Sequence, residues 1–323
     1  MEKSNRTVVI TGASSGAGRA IALAFAQNGD QLVLASRNES ALNEVGEECR
    51  EMKVEVKCIV TDVSNYREVL NLANEASEFG TGIDVWINNA GILAIGEFDK
   101  TPMEVTEQLL RTNLLGYMHG AHAALPYFKK QGRGILINNI SIGGFLPVPL
   151  GVGYSASKFG LRGFSAALKA ELVNFPNIHV CDAFPGFLDT PGMQHAANYT
   201  GKALKPGPIV YDPVRLALDI VGLSVKPSSE KMVGSFSVLM RYASAIFPGI
   251  TRGIAGGIIK AYLKQANPMN ASSGNIFNPV PYGNAVHGGW GIPGKPKVHR
   301  KYIAAGMLLI AASVILKTIK NKR

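Results

Sequence analysis

The chain has 323 residues, 46% of them hydrophobic and 17% charged. That balance excludes a disordered chain and supplies enough apolar side chains for a large core. The formal net charge is +10, but residues 251–323 hold 11 of the 33 Lys and Arg and none of the 23 Asp and Glu. Residues 1–250 are therefore nearly neutral, a distribution that argues against nucleic acid as a partner and for a basic tail at a membrane surface. Cys49, Cys58 and Cys181 form no disulfide framework and no metal-ligand spacing, so no metal site is expected and a reducing, cytoplasmic compartment fits. The polar Met1–Arg6 lacks the pattern of a cleavable leader.

Thr7–Thr11 reads as a short buried strand, followed by a Gly-rich turn and a helical pattern over Arg19–Asn28 that Gly29 stops. Further strands are expected at Gln31–Ala35, Val54–Val60, Ile83–Ile87, Ile135–Ile140 and Ile178–Phe184. Helical patterns at Glu39–Met52, Tyr66–Phe79, Val105–Lys130 and Tyr154–Asn174 alternate with them. Short β-rich runs alternating with long helices predict an α/β fold: a Rossmann-type doubly wound parallel sheet with helices on both faces. The near-continuous apolar strands agree, because both faces of such a sheet are covered.

Beyond Pro185 the pattern loosens. Gly186–Pro213 reads as a long loop, Val233–Val238 as a last strand, and two helical stretches broken at Pro248 follow. Ala266–Arg300 holds 6 Gly, 5 Pro and 5 Asn, a composition that predicts an extended linker. The chain closes with Ile303–Leu316, apolar except for Ser313 and flanked by His299, Arg300 and Lys301 and by Lys317, Lys320, Lys322 and Arg323. With Lys317 snorkelling, the apolar stretch reaches residue 319, the lower limit for a span. A membrane helix over 303–319 is the favoured reading, and a docking helix within a homo-oligomer the alternative. The expected organisation is a catalytic body over 1–240, a helical and Gly/Pro-rich extension over 241–300, and a tail helix over 301–323.

Two constellations carry chemistry. Gly12, Ser14, Ser15, Gly16, Ala17 and Gly18 lie between the first strand and the first helix. Glycines there let backbone N–H groups approach a diphosphate at a helix N-terminus. At the end of the second strand, where an acid would bind the ribose hydroxyls of NAD, the chain has Ser36-Arg37. A guanidinium suits a 2′-phosphate, so the expected cofactor is NADP(H). The second constellation is Tyr154 and Lys158, four apart on one helix face, with Ser141 upstream at the end of a strand. A nearby ammonium favours the phenolate and brings a tyrosine toward acid–base work at neutral pH.

Together these residues resemble the short-chain dehydrogenase/reductase family over roughly residues 5–240. Thr11–Gly18 resembles that family's cofactor turn, and Asp62-Val63 its adenine-contacting pair. Asn88-Asn89-Ala90-Gly91 resembles its NNAG, Asn113 its helix-borne catalytic Asn, and Pro185-Gly186-Phe187-Leu188-Asp189-Thr190 its PGxxxT. The resemblance implies a proton donor in Tyr154, a partner in Lys158 that also binds the nicotinamide ribose, and a substrate-oxygen anchor in Ser141. It also implies a water positioned by Asn113, a carboxamide held by Thr190, and a dinucleotide resting on Asn89, Ala90, Gly91, Pro185 and Gly186. The chain departs from the family pattern at Asn138-Asn139, at least one of which is expected to be structural.

The implied activity is NADP(H)-dependent interconversion of a carbonyl and an alcohol, with reduction of a hydrophobic ketone, aldehyde or steroid-like substrate favoured. A 3-oxoacyl-thioester reductase shares every motif. A catalytically idle membrane scaffold that binds NADP is the reading from another class, and the intact Asn113, Ser141, Tyr154 and Lys158 speak against it. His119 and His122 are expected to pack, Cys181 to fill a core strand, Glu47–Lys57 to be a solvated face, and Trp290 to pin the linker or sit at a membrane interface.

Overall fold

The computed structural model describes residues 6–207 and 210–291. The expected tail helix at 303–319 lies outside the described residues. In chain order the elements are β1 (Thr7–Thr11), α1 (Gly16–Gln27), β2 (Gln31–Ser36), α2 (Glu39–Glu51), β3 (Val56–Val60), α3 (Tyr66–Phe79), β4 (Val85–Asn88) and β5 (Ala94–Ile95). Then come α4 (Met103–Leu110), a π turn (Arg111–Leu115), α5 (Gly116–Gln131), β6 (Gly134–Asn139), α6 (Val152–Glu171) and β7 (Ile178–Pro185). The last are α7 (Gly192–His195), β8 (Ala197–Asn198), α8 (Pro213–Val225), β9 (Glu230–Val233), α9 (Ser235–Ile246) and α10 (Pro248–Gln265).

Seven strands form one parallel sheet in the order β3-β2-β1-β4-β6-β7-β9. The Rossmann-type arrangement read from the alternation is thus the observed one. Alternation along β1 sends Val8 and Ile10 to one face, where they pack with Ile21 and Phe25 of α1 and Leu216 and Ile220 of α8. Val9 faces the other side, among Leu72 of α3, Phe128 of α5 and Leu168 of α6. Burial of this apolar surface on both faces, at about 25 cal/mol per Å², drives the fold. The order reverses between β1 and β4, which opens a crevice at the carboxyl ends of these strands.

Four sequence expectations shift. The single helical pattern over Val105–Lys130 is interrupted by the π turn. The strand placed at Val233–Val238 lies earlier, at Glu230–Val233, because Gly234 (φ 90°) turns the chain into α9. Helix α8 was not foreseen, although Asp212 caps it through the Val214 N–H and Pro213 occupies its first turn. Residues 266–291, part of the expected extended linker, run across the body, Trp290 bonds Asp189 and Thr190, and the chain through Trp290 forms one compact unit. Among the described residues no helix is long and apolar enough to cross a membrane.

Candidate active site

Every motif singled out in the sequence ends at the same edge of the sheet. The turn Gly12–Gly18 follows β1, Arg37 follows β2, Asp62 and Val63 follow β3, Asn89–Gly91 follow β4, Ser141 follows β6 and Pro185–Thr190 follow β7. They line one cleft of about 410 Å³ with Tyr154 and Lys158 on its wall. Asn113 stands behind that wall and is fully buried.

The floor of the cleft is glycine because nothing larger fits. Gly12 has φ 68°, and a Cβ on it would meet the Ala90 Cα at 2.7 Å. A Cβ on Gly18 would meet the Asn89 amide nitrogen at 2.7 Å and the Gly12 carbonyl more closely still. Asn89 stitches the turn to β4: its side-chain N–H donates to the carbonyls of Thr11 (3.0 Å) and Gly12 (3.3 Å). Ser15 precedes α1 without capping it through its side chain; the Gly16 N–H donates to the Ala285 carbonyl, and Ser15, Gly16, Ala17 and Gly18 line the cleft. Two polar atoms bordering the cleft, Asn139 Oδ1 and Asn275 Oδ1, are buried with no hydrogen-bond partner. A glycine cradle at a helix N-terminus, with such atoms beside it, fits a dinucleotide.

The reacting end is built under strain. Ser141 has φ 115°, a conformation costly for any residue with a Cβ. Its hydroxyl accepts from the Gly143 N–H at 3.1 Å and also hydrogen-bonds the Tyr154 phenol. The pair lies one helical turn from Lys158, whose ammonium is 5.6 Å from the Tyr154 ring centroid and 5.2 Å from that of Tyr117. Lys158 is 4% exposed, and burial pulls its pKa down to about 7. Burial also pushes the Tyr154 phenol up, with the Ser141 hydrogen bond acting in the opposite direction. For both groups desolvation is the largest influence.

Asn113 sits in the π turn. Its Oδ1 accepts from the Ile92 N–H and its Nδ2 donates to the Ile92 carbonyl, both at 2.8 Å, with Ser157 Oγ at 3.5 Å from Nδ2. The carboxamide therefore clamps the loop after β4. π turns concentrate at functional sites because the widened turn re-aims backbone groups.

Arg37 lines the cleft just after β2, but its guanidinium donates to the carbonyls of Asn275 (2.6 Å), Phe277 (3.1 Å) and Ile276 (3.2 Å). These bonds engage both terminal nitrogens of the guanidinium, the pair that a phosphate would meet. Asp62 accepts from the Ser64 N–H at 2.9 Å and lies close enough to act on the Arg37 charge. Thr190 lies against Gly16. Apart from Trp290, expected to pin the linker or sit at a membrane interface, no sequence signal foretold residues 274–290 at this site. Asn138 lies beneath the cleft in a buried network: Trp86 donates to Asn88, Asn88 to Asn138, and Asn138 to Asp182, at 2.9–3.1 Å. Asn139 donates to Asn89 at 2.9 Å, so both asparagines are structural. His119 and His122 bond Val63 and Tyr66 respectively. Among the described residues no cluster of His, Cys, Asp and Glu could hold a metal.

A parallel doubly wound sheet with a glycine-lined crevice and a Ser–Tyr–Lys constellation defines a nicotinamide-dependent oxidoreductase framework. The profile of the family described as "short chain dehydrogenase" matches residues 6–200, and the chain belongs to that family. It is 31% identical over 277 residues to an uncharacterized oxidoreductase, YxnA, of Bacillus subtilis (82% of this chain, 76% of that protein). It is 30% identical over 270 residues to 3-ketodihydrosphingosine reductase of Bos taurus (78% and 80%). Among solved structures it resembles an alcohol dehydrogenase from Thermococcus sibiricus complexed with 5-hydroxy-NADP (TM-score 0.62, 28% identity, 71% of this chain and 95% of that one). It also resembles an actinorhodin polyketide ketoreductase variant with NADPH (TM-score 0.64, 25% identity, 71% and 95%).

Proposed function

We propose that this protein is an NADP(H)-dependent reductase of a hydrophobic ketone or aldehyde, with Tyr154 as the general acid. The observation that carries the reading is the convergence of Ser141, Tyr154 and Lys158 on one wall of a cleft whose floor admits only glycine. A reduced nicotinamide bound there supplies the hydride. Tyr154 gives its phenolic proton to the substrate oxygen, and the Ser141 hydroxyl holds that oxygen in place. Lys158, poised near neutrality, stabilises the resulting phenolate and binds the nicotinamide ribose hydroxyls. Thr190 holds the carboxamide. Arg37, with no acid at the end of β2, supports NADP(H) over NAD(H). The NADP forms named for the two structural neighbours support the same choice.

The substrate end of the cleft is apolar, with Ile92, Leu93, Leu146, Val148, Phe187 and Phe236 on its walls. That lining, and the ketosphingoid relative, support a lipid-like carbonyl compound. We further propose that the enzyme associates with a membrane through 303–319. The chain has no Asp or Glu after Glu230. Helices α9 and α10 expose Tyr242, Ile246, Ile254 and Ile258 near Arg252, Lys260 and Lys264. The test is NADPH oxidation in detergent across a panel of hydrophobic ketones, aldehydes and 3-oxoacyl thioesters. Turnover only on thioesters replaces the substrate class, and no turnover on any of them removes the reading. Fractionation of the full chain against a chain ending near Pro296 tests the membrane: solubility of both sinks it.

A further inference from the structure

Residues 274–290 hold two donors that line the cleft, the Gly16 N–H and the Arg37 guanidinium, and two beside it, on Arg19 and Asn38. Gly16, the first residue of α1, gives its N–H to the Ala285 carbonyl at 3.0 Å. Arg19 donates to the Asn284 carbonyl at 2.9 Å and Asn38 to the Val280 carbonyl at 3.3 Å. Arg37 is held by the carbonyls of Asn275, Ile276 and Phe277. The segment is also pinned at both ends. Asn275 N–H donates to the His195 carbonyl at 2.9 Å. Gly288 N–H donates to the Asp189 carbonyl at 3.1 Å, and Trp290 donates from its backbone to Asp189 Oδ1 (2.7 Å) and from its indole to the Thr190 carbonyl (3.1 Å). The approach is backbone on backbone: a Cβ on Gly288 would lie 2.6 Å from the Thr190 carbonyl carbon.

The chemistry of the segment is one-sided. Residues 266–291 contain no Asp, Glu, Lys or Arg. Every bond it makes to Gly16, Arg19, Arg37 and Asn38 is through a neutral carbonyl. A neutral acceptor on an N–H or guanidinium is worth roughly half a charge-assisted one. A diphosphate at the N-terminus of α1 and a 2′-phosphate at Arg37 are the stronger ligands for the same donors. The pins at Asp189, Thr190 and His195 involve no donor of the phosphate turn.

We propose that residues 276–287 are a latch that competes with the dinucleotide. The Ala285 carbonyl gives up Gly16 and the 275–277 carbonyls loosen on Arg37 when the phosphates arrive, while the pins keep the segment attached. The latch rests on the cofactor reading given above. It sets cofactor affinity: binding includes the cost of releasing the neutral bonds, and weakening the pins lowers that cost.

The test uses the full chain and two variants outside the phosphate turn and the reacting constellation, Trp290→Ala and Gly288→Ala. NADPH binding is followed by stopped-flow nicotinamide fluorescence. Both variants are expected to bind NADPH roughly tenfold more tightly, through faster association. In the wild-type protein, saturating NADP+ is expected to speed amide hydrogen exchange across 276–287, a readout that needs no variant. Unchanged or weaker NADPH binding by a folded variant, or slower exchange across 276–287 with NADP+, overturns the latch and leaves the cofactor reading standing. Failure of the wild type and both variants to bind NADPH or NADH overturns both.

Discussion

Replacing Lys158 by methionine should stabilise the protein in the absence of dinucleotide while ending its activity. The lysine is 4% exposed, and among the described residues no carboxylate stands within salt-bridge distance of it. Its favourable contacts are the rings of Tyr117 and Tyr154, at 5.2 and 5.6 Å. Burial takes its pKa from the ordinary 10.5 to about 7. Such a depression costs roughly 5 kcal/mol near pH 7, at about 1.4 kcal/mol per pKa unit. Methionine keeps the apolar stem and gives up cation–π attraction worth about 1–2 kcal/mol. The net expectation is a gain of about 3 kcal/mol near pH 7. The pH dependence follows from the sign of the depression. Between about pH 7 and 10.5 the unfolded lysine binds a proton that the native one has released, so wild-type stability rises with pH. The advantage of the variant should therefore shrink steadily across that window and vanish near its upper end. Urea unfolding of both proteins without dinucleotide, at several pH values, measures it; other titrating groups cancel in the difference. A variant no more stable than wild type near neutral pH, or a difference that ignores pH, refutes the reasoning.

Tyr154→Phe should lower kcat by about 10²–10⁴-fold with NADPH affinity unchanged within about twofold, since it deletes a proton and little else; near-wild-type turnover ends the assignment. Arg37→Asp should cut the NADPH/NADH affinity ratio by about 10–100-fold, the loss of one or two charge-assisted bonds, measured as a ratio of Kd values so that any effect on the latch cancels. Ser141→Gly should stabilise the fold by about 1 kcal/mol, because relief of the φ 115° strain exceeds the entropy of an added glycine, while kcat falls. A destabilised Ser141→Gly protein would show that the backbone there is held by something other than strain tolerance.

The body of the fold was legible because its strands are apolar runs of strand length, bounded by turn residues and separated by amphipathic helices. The site was legible because its chemistry needs residue types in a fixed order along those strands. What escaped the sequence is of two kinds. Short-range errors arose where local pattern is ambiguous. Met232-Val233-Gly234-Ser235-Phe236-Ser237-Val238 alternates like a strand, yet Gly234 at φ 90° ends β9 and starts α9. The π turn at Arg111–Leu115 leaves no mark in a helical periodicity. Long-range errors arose where partners are remote in sequence. The Gly, Pro and Asn of 266–291 correctly signalled a lack of regular structure. They could not signal that the carbonyls of that segment would reach Arg37, about 240 positions away. Asn138 was a departure from the family pattern in the sequence, and only Asp182 and Asn88 in space explain it.

The charge and strain of this cleft are distributed unevenly, and the unevenness bears on function. Elsewhere in the body, buried ionised groups are paired: Arg19 with Glu44 and Glu48, Lys169 with Asp182, Arg6 with Asp30. On the reacting wall, Lys158 is buried against aromatic rings and Ser141 holds a φ suited to glycine. A fold able to pair its remote charges would gain stability by doing the same here, or by replacing them with apolar residues of equal size. A buried lysine with no carboxylate partner and a strained serine together on one wall of one cleft are the pattern expected where stability is given up for chemistry. The adenosine end differs in kind, since its donors are satisfied by a neutral, exchangeable segment. The two ends therefore separate experimentally. Substitutions on the reacting wall should raise stability and lower kcat, whereas loosening the pins of the segment should change dinucleotide affinity and leave the Lys158-dependent slope of stability with pH intact.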